Sequence, residues 1–208
     1  MHPISPMKPM IKVCGMRETK NICEVEALGI DLMGFIFWPK SSRYVSERPS
    51  HLPEKVKRVG VFVNEDIEQV KNTAEAYALD YIQLHGSESP EYAQKLRDWK
   101  VIKAFNIATA ADLDATKPYE GMADYFLFDT KGKSVGGNGE KFDWSVLDAY
   151  TGDTPFLLSG GIGPDDAERV RAFHHPKCIG IDLNSRFETA PAIKDVAALQ
   201  RFIAQLSQ

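Results

Sequence analysis

Short β-forming runs alternate with helix-patterned segments along almost the whole of this chain, and that alternation constrains its fold more than any other feature. Strands separated by helical crossovers must run parallel, because a tight hairpin can join only antiparallel neighbours. The pattern predicts eight strands, over 10–15, 32–37, 58–63, 81–85, 101–107, 125–130, 155–161 and 178–184. Helical spacing lies between most of them. It is clear over 19–28, where Gly29 supplies a C-terminal stop, and over 66–78, where Ile67, Val70, Ala74 and Tyr77 share one face. Ser89 and Pro90 form an N-cap and first-turn proline for a helix reaching 99. Helical segments also fall over 108–115 (weaker), 144–150 (short), 165–173 and 193–206, whereas 38–57, with Pro39, Pro49 and Pro53, reads as loop.

Eight βα units fit a single (β/α)8 TIM barrel, and 208 residues stand at the low end for one. The competing architecture, an open doubly wound sheet, more often carries five to seven strands and a glycine-rich turn after the first. Here the first strand ends in Cys-Gly-Met-Arg instead. The barrel is therefore the expected α/β class, occupying residues 10–208 as one domain. Residues 1–9, with Pro3, Pro6 and Pro9 and no apolar run, read as a flexible N-terminal extension and not as a signal peptide.

Charge narrows the partners. Lys and Arg number 25 against 29 Asp and Glu, a net charge of −4. Such a chain is poorly suited to nucleic acid or to an anionic membrane surface, and no apolar run approaches the length of a bilayer span. An anionic ligand must then be held locally, by backbone N–H groups or by one placed arginine. Cys14, Cys23 and Cys178 are an odd number of cysteines, which reads as free thiols in a reducing, cytoplasmic setting. The histidines at 2, 51, 174 and 175 make no metal-binding spacing, so no metal is expected.

A βα barrel keeps its active site at the C-terminal ends of its strands. The reactive side chains at those positions are Cys14, Arg43 in the loop after the second strand, Asn64, His85, Asp129, Ser159 and Asp182. Lys12 alternates with Cys14, so both point the same way, and its ammonium is expected to lower the thiol pKa. A buried small hydrophobe is the plainer role for any cysteine. Asp129 ends the apolar run YFLFD, where partial desolvation suits a general acid; an aspartate capping the next loop is the alternative.

After it, KGKSVGGNGEKF matches neither a P-loop nor a dinucleotide fingerprint, but is long enough for a lid over residues 131–141. In SGGIGPDD, Gly160 and Gly161 let the backbone approach a phosphate, and Asp182-Leu183-Asn184-Ser185 adds a second loop beside it. Arg43 suits bidentate binding of a carboxylate or a simple solvated role. His85 suits either a ligand contact or a structural hydrogen bond.

The segments KVCGMR, GFIFWPKSSRYV, RVGVFVNE, QLHGSE, LFDTKG, GGNGEKFDW and LSGGIGPDD together resemble the phosphoribosylanthranilate isomerases of tryptophan biosynthesis, in that family's order and over nearly the whole chain. The resemblance implies an Amadori rearrangement of N-(5-phosphoribosyl)anthranilate to 1-(2-carboxyphenylamino)-1-deoxyribulose 5-phosphate, without a cofactor. It implies Cys14 as general base and Asp129 as general acid. It further implies Arg43 on the anthranilate carboxylate, His85 as a nearby contact, and Gly160, Gly161, Asp182, Asn184 and Ser185 around the phosphate. The partner is then a small phosphorylated substrate, and the chain a monomer or homodimer.

Where the family usually reads DVSSGVE, this chain reads DLNSRFE. Arg186 at the usual glycine either strains the backbone or adds a cation beside the phosphate. Three other readings are open to a phosphate barrel: the histidine-pathway aminoaldose isomerase, a catalytically silent binding barrel, and a metal-dependent sugar-phosphate epimerase. The first lacks its half-barrel repeat here, the second sits poorly with Cys14 and Asp129 together, and the third lacks its histidine ligands.

Overall fold

A computed structural model describes residues 9–130 and 141–207. The eight predicted strands are β1 (Met10–Val13), β2 (Leu32–Ile36), β3 (Lys57–Phe62), β4 (Tyr81–Leu84), β5 (Lys100–Asn106), β6 (Tyr125–Asp129), β7 (Phe156–Ser159) and β8 (Cys178–Leu183). They pair in parallel in chain order, and β8 returns to β1 to close the barrel. The register of that closing seam runs Met10 to Gly180 through Val13 to Leu183.

Helices α1 (Thr19–Glu26), α2 (Ile67–Ala76), α3 (Pro90–Gln94), α4 (Ala167–Ala172) and α5 (Val196–Leu206) belong to the outer layer. Their caps follow the sequence chemistry: Asp66 accepts from the N–H groups of Glu68 and Gln69, Ser89 from Tyr92 and Asp195 from Ala198. Residues 108–115 do not make an α-helix. A 3-10 segment, Ala110–Tyr119, stands there instead, and Pro118 within it cannot donate a helical hydrogen bond. The helix expected to reach 99 stops at Gln94, and 144–150 is also a 3-10 segment, Trp144–Ala149. The final helix starts later than expected. Ile193 and Lys194 form β10, which pairs antiparallel with β9 (Glu188–Ala190) in a small sheet beyond β8.

Residues 1–8, most of the expected N-terminal extension, and 131–140, nearly all of the expected lid, lie outside the described residues. No helix among the described residues is long and apolar enough to cross a membrane.

Two apolar layers hold the barrel. A large core between strands and outer elements includes Phe35, Phe62, Phe105, Phe126, Phe128, Phe156, Phe187 and Phe202. A smaller one fills the lower interior with Leu32, Val59, Tyr81, Ile102, Ala104, Leu127 and Leu157. Above that plug the interior turns polar: Lys12, Gln83, Asp129, Ser159 and Asp182 are all buried. A barrel interior is ordinarily packed with branched apolar side chains. Polar replacement near the C-terminal ends of the strands therefore marks the functional end.

Candidate active site

Cys14, Arg43, His85, Asp129, Gly160, Gly161, Asp182, Asn184 and Ser185 all line one cavity of about 350 Å³ at the C-terminal mouth of the barrel. Trp38, Gln83, Ile162 and Arg186 complete part of its wall. The residues come from six strands or the loops that follow them, which is why no linear motif contains them.

Cys14 lies one residue beyond β1 and is buried, 4% exposed. Its position depends on a neighbour without a side chain. A Cβ on Gly34 of β2 would lie 2.6 Å from Cys14 Sγ and 3.1 Å from its Cα. Lys12 is fully buried below it and donates to Asp182 Oδ1 at 2.7 Å; Ser159 Oγ donates to Asp182 Oδ2 at 2.9 Å. Burial works against the Lys12 charge, but Asp182 and Cys14 outweigh it and hold the ammonium above the ordinary lysine pKa.

The expected lowering of the Cys14 pKa is not found. Burial raises the thiol more than Lys12 lowers it, and Asp182 adds to the rise. A fully desolvated thiolate loses more hydration than one ammonium, itself shared with a carboxylate, restores.

Asp129 ends β6 and is 6% exposed. His85 Nε2 stands 3.9 Å from Asp129 Oδ2, and Gln83 Nε2 lies 3.0 Å from His85 Nδ1. The amide as placed donates to Nδ1, which puts the ring proton on Nε2, facing Asp129. Burial lowers the His85 pKa, with Lys12 and Lys103 adding to the effect and Asp129 opposing it, so the ring is neutral at pH 7. His85 is thus held by a hydrogen bond and lines the cavity.

Gly160 follows β7 with φ +108°, and a Cβ there would lie 2.6 Å from Thr130 N and 2.9 Å from Asp129 Oδ1. Glycine is required both for the turn and for its approach to the acid. Gly161 also has positive φ, +67°. Gly163 N donates to Asp166 at 2.8 Å, which ties down the far side of this loop.

Beside this loop, Asn184 and Ser185 follow β8. Arg186 sits in a 3-10 turn, Ser185–Phe187, and is absent from the non-glycine residues with positive φ, so the strain considered for it does not arise. Its guanidinium lies against Gly163 of the neighbouring loop, which brings a cation to the glycine-bearing turn after β7.

Arg43 is not a solvated loop residue. Its Nε and Nη2 donate to Glu188 Oε1 and Oε2 at 2.8 and 2.6 Å. Glu188 also accepts from Lys194 Nζ at 2.5 Å. Burial alone would raise the Glu188 pKa, but Arg43 and Lys194 hold it below the usual carboxylate range. Gly34, Glu188 and Lys194 carry no linear signal of their place in the site. Glu188 stood inside the quoted DLNSRFE, but nothing in the linear order linked it to Arg43.

Comparison with known proteins identifies the family. The family model described as "N-(5'phosphoribosyl)anthranilate (PRA) isomerase" matches residues 11–205. An N-(5'-phosphoribosyl)anthranilate isomerase of Phocaeicola vulgatus is 54% identical over 201 residues, covering 96% of this chain and 98% of its own. One from Parabacteroides distasonis is 52% identical, covering 95% and 93%. The solved phosphoribosyl anthranilate isomerase from Thermotoga maritima is similar with TM-score 0.81 and 31% identity, covering 96% of this chain and 98% of its own. A phosphoribosyl anthranilate isomerase solved in complex with reduced 1-(o-carboxyphenylamino)-1-deoxyribulose 5-phosphate is similar with TM-score 0.80 and 30% identity, over 96% and 98%. With a family model spanning nearly the whole barrel and relatives above half identity, this chain belongs to the N-(5'-phosphoribosyl)anthranilate isomerase family.

Proposed function

We propose that this isomerase of tryptophan biosynthesis rearranges N-(5-phosphoribosyl)anthranilate by paired proton transfers, with Cys14 as base and Asp129 as acid. The observation that carries the assignment is that both line the same cavity mouth, on strands three places apart around the ring. Asp129 gives a proton to the furanose ring oxygen, and the C1–O bond breaks as the anilino nitrogen forms a Schiff base to C1. Cys14, as thiolate, takes the C2 proton; its electron pair forms the C1–C2 double bond of an enolamine. Tautomerisation to the C2 ketone returns a proton to C1, so the reaction is an isomerisation with no net gain or loss of atoms. Positioning and proton transfer supply the rate, as fits a site built from fixed strand ends. No cofactor enters these steps.

Raising the Cys14 pKa by burial has a chemical use. A more basic thiolate is a stronger base toward a carbon acid, while Lys12 stabilises the small ionised fraction. Neutral His85 stands with Nε2 3.9 Å from Asp129 Oδ2, and a closer approach lets it donate to the carboxylate once the acid's proton has left. Gly160, Gly161, Asn184 and Ser185 surround the phosphate, and Arg186 adds a charge that the usual family glycine does not. Asp182 contributes through Lys12 and Ser159, whose side chains it holds. Arg43 receives the anthranilate carboxylate.

The unpaired thiols of Cys14, Cys23 and Cys178 support a reducing, cytoplasmic setting. For assembly, a monomer or a homodimer is the reading; one solved relative is a monomer form generated from the dimeric Thermotoga maritima enzyme.

Turnover tests the assignment. Substrate is made in situ from anthranilate and phosphoribosyl pyrophosphate with the preceding enzyme, and loss of its fluorescence is followed. Wild type consumes it, and Cys14→Ser and Asp129→Asn fall by at least about 100-fold. Full activity in either folded variant removes that residue from the mechanism. Arg186→Ala raises KM if the added cation binds phosphate, and an unchanged KM rejects that role.

A further inference from the structure

Arg43 reaches the cavity already held by a carboxylate of the protein itself. The contact is side-on: Nε–H and one Nη2–H go to the two oxygens of Glu188. A guanidinium has five N–H groups, so both hydrogens on Nη1 and one on Nη2 remain. Among the described residues no acceptor meets these three. They form the second fork of the guanidinium, and its geometry matches another carboxylate end-on.

Glu188 is itself fixed. It stands opposite Lys194 in the β9–β10 register, and the Lys194 side chain is fully buried. Lys194 Nζ also donates to Asn184 Oδ1 at 3.0 Å, and Asn21 Oδ1 accepts from the Lys194 backbone N–H at 2.7 Å. The cluster packs against Gly15, where a Cβ would lie 2.6 Å from Arg43 Cδ and 3.3 Å from Lys194 Nζ. Charge matters as much as shape. Arg43 and Glu188 alone would be neutral and would attract an anion weakly. Lys194 returns the group to a net charge of +1 beside the catalytic thiol.

We propose that Glu188, held by Lys194 across the small antiparallel sheet, is a positioning residue that orients Arg43 so that its free fork receives the substrate's aryl carboxylate. The proposal rests on the reading of Arg43 as the carboxylate ligand. It assigns the β9–β10 sheet a specificity role, because only a ligand that carries the carboxylate senses it.

The test compares two probes: the reduced product 1-(2-carboxyphenylamino)-1-deoxyribitol 5-phosphate and its anilino counterpart without the carboxylate. Dissociation constants are measured calorimetrically for wild type, Glu188→Gln and Glu188→Asp. Wild type binds the carboxylated probe on the order of tenfold or more tighter, as expected for a charge-assisted bidentate contact. Glu188→Asp keeps a charge for Lys194 but is one methylene too short for the side-on fork. In it the preference falls to about threefold or less. Binding of the anilino probe stays within about twofold, and thermal melting verifies the fold.

Glu188→Gln shows the same loss wherever it folds, with KM raised more than kcat is lowered. If both folded variants retain the wild-type preference, Glu188 is only structural and the proposal fails. A preference that increases would mean that Glu188 competes with substrate, which also overturns it. A wild-type ratio near one would instead reject the Arg43 reading on which the proposal stands.

Discussion

Gly34→Ala puts one methyl group against the proposed catalytic base. The new Cβ would lie 2.6 Å from Cys14 Sγ, 3.1 Å from Cys14 Cα and 3.2 Å from Cys14 Cβ. Carbon and heavy-atom neighbours pack at roughly 3.5–4.0 Å, so about 1 Å of movement is demanded. Rotating the thiol away relieves only the first contact. The other two involve the strand itself, so β1 must shift relative to β2. Overpacking of this kind costs about 1–3 kcal/mol of stability. Displacing a reacting group by about 1 Å costs on the order of 100-fold in rate, or about 2.7 kcal/mol of activation free energy.

The assay is steady-state turnover together with thermal melting. The expected result is a folded protein with kcat down about 100-fold from displacement of the thiol; KM is free to rise as well, because Arg43 follows β2 itself. Gly29→Ala is the control. Its φ is +72° and nothing lies within 4 Å of a Cβ there, so it loses stability without losing kcat. A Gly34→Ala enzyme with kcat within threefold of wild type would refute the claim that this glycine sets the position of the thiol.

The remaining expectations concern charge. Because burial raises the Cys14 thiol and a general base must be deprotonated, kcat/KM climbs with pH through and above neutrality; a pH profile flat from 6 to 9 contradicts this. Lys12→Met removes the group that partly offsets that burial, so the climbing limb moves to higher pH. It also leaves Asp182 buried without its cation, at a cost of about 3–5 kcal/mol in denaturant unfolding. Glu188 has a folded pKa below its unfolded one, so its stabilisation is complete above the unfolded value and is lost as pH falls through the folded value. Wild type therefore loses melting temperature on acidification more steeply than Glu188→Gln, and parallel curves would reject the linkage.

The barrel was legible because its strands are buried on both faces and interrupted at regular intervals. Runs such as YFLFD and LMGFIF are apolar at consecutive positions, as a parallel strand covered on both sides requires. Helix extents were less legible. The segment to 99 has a strong start at Ser89-Pro90, but its α-helix closes after five residues. The β9–β10 sheet left no periodic signal, because three residues and two are too few to show alternation. Ile193 and Lys194 were accordingly absorbed into the following helix.

The candidate site divides the same way. A reactive side chain at a strand end announces itself, and Cys14, His85, Asp129 and Asp182 were found by that rule. Relations between strands do not. Lys12 meets Asp182 across 170 residues and Arg43 meets Glu188 across 145, and only closure of the barrel creates either pair.

Closure also resolves a tension in the composition. A chain of net charge −4 must bind a substrate that carries a phosphate and a carboxylate. Around Cys14, the linked groups Lys12, Arg43 and Lys194 stand with Asp182 and Glu188, three cations against two anions, next to the thiol proposed to ionise. Neither carboxylate cancels its cation at a distance. Each is bonded to it directly, and so fixes where the remaining positive field points. Without Asp182, Lys12 would bear the whole cost of burial; without Lys194, Glu188 would neutralise the arginine it orients. Net charge therefore says little about the mouth of this barrel: the field there is set by a few buried charges, while exposed charges more than about 8–10 Å away are screened by physiological salt.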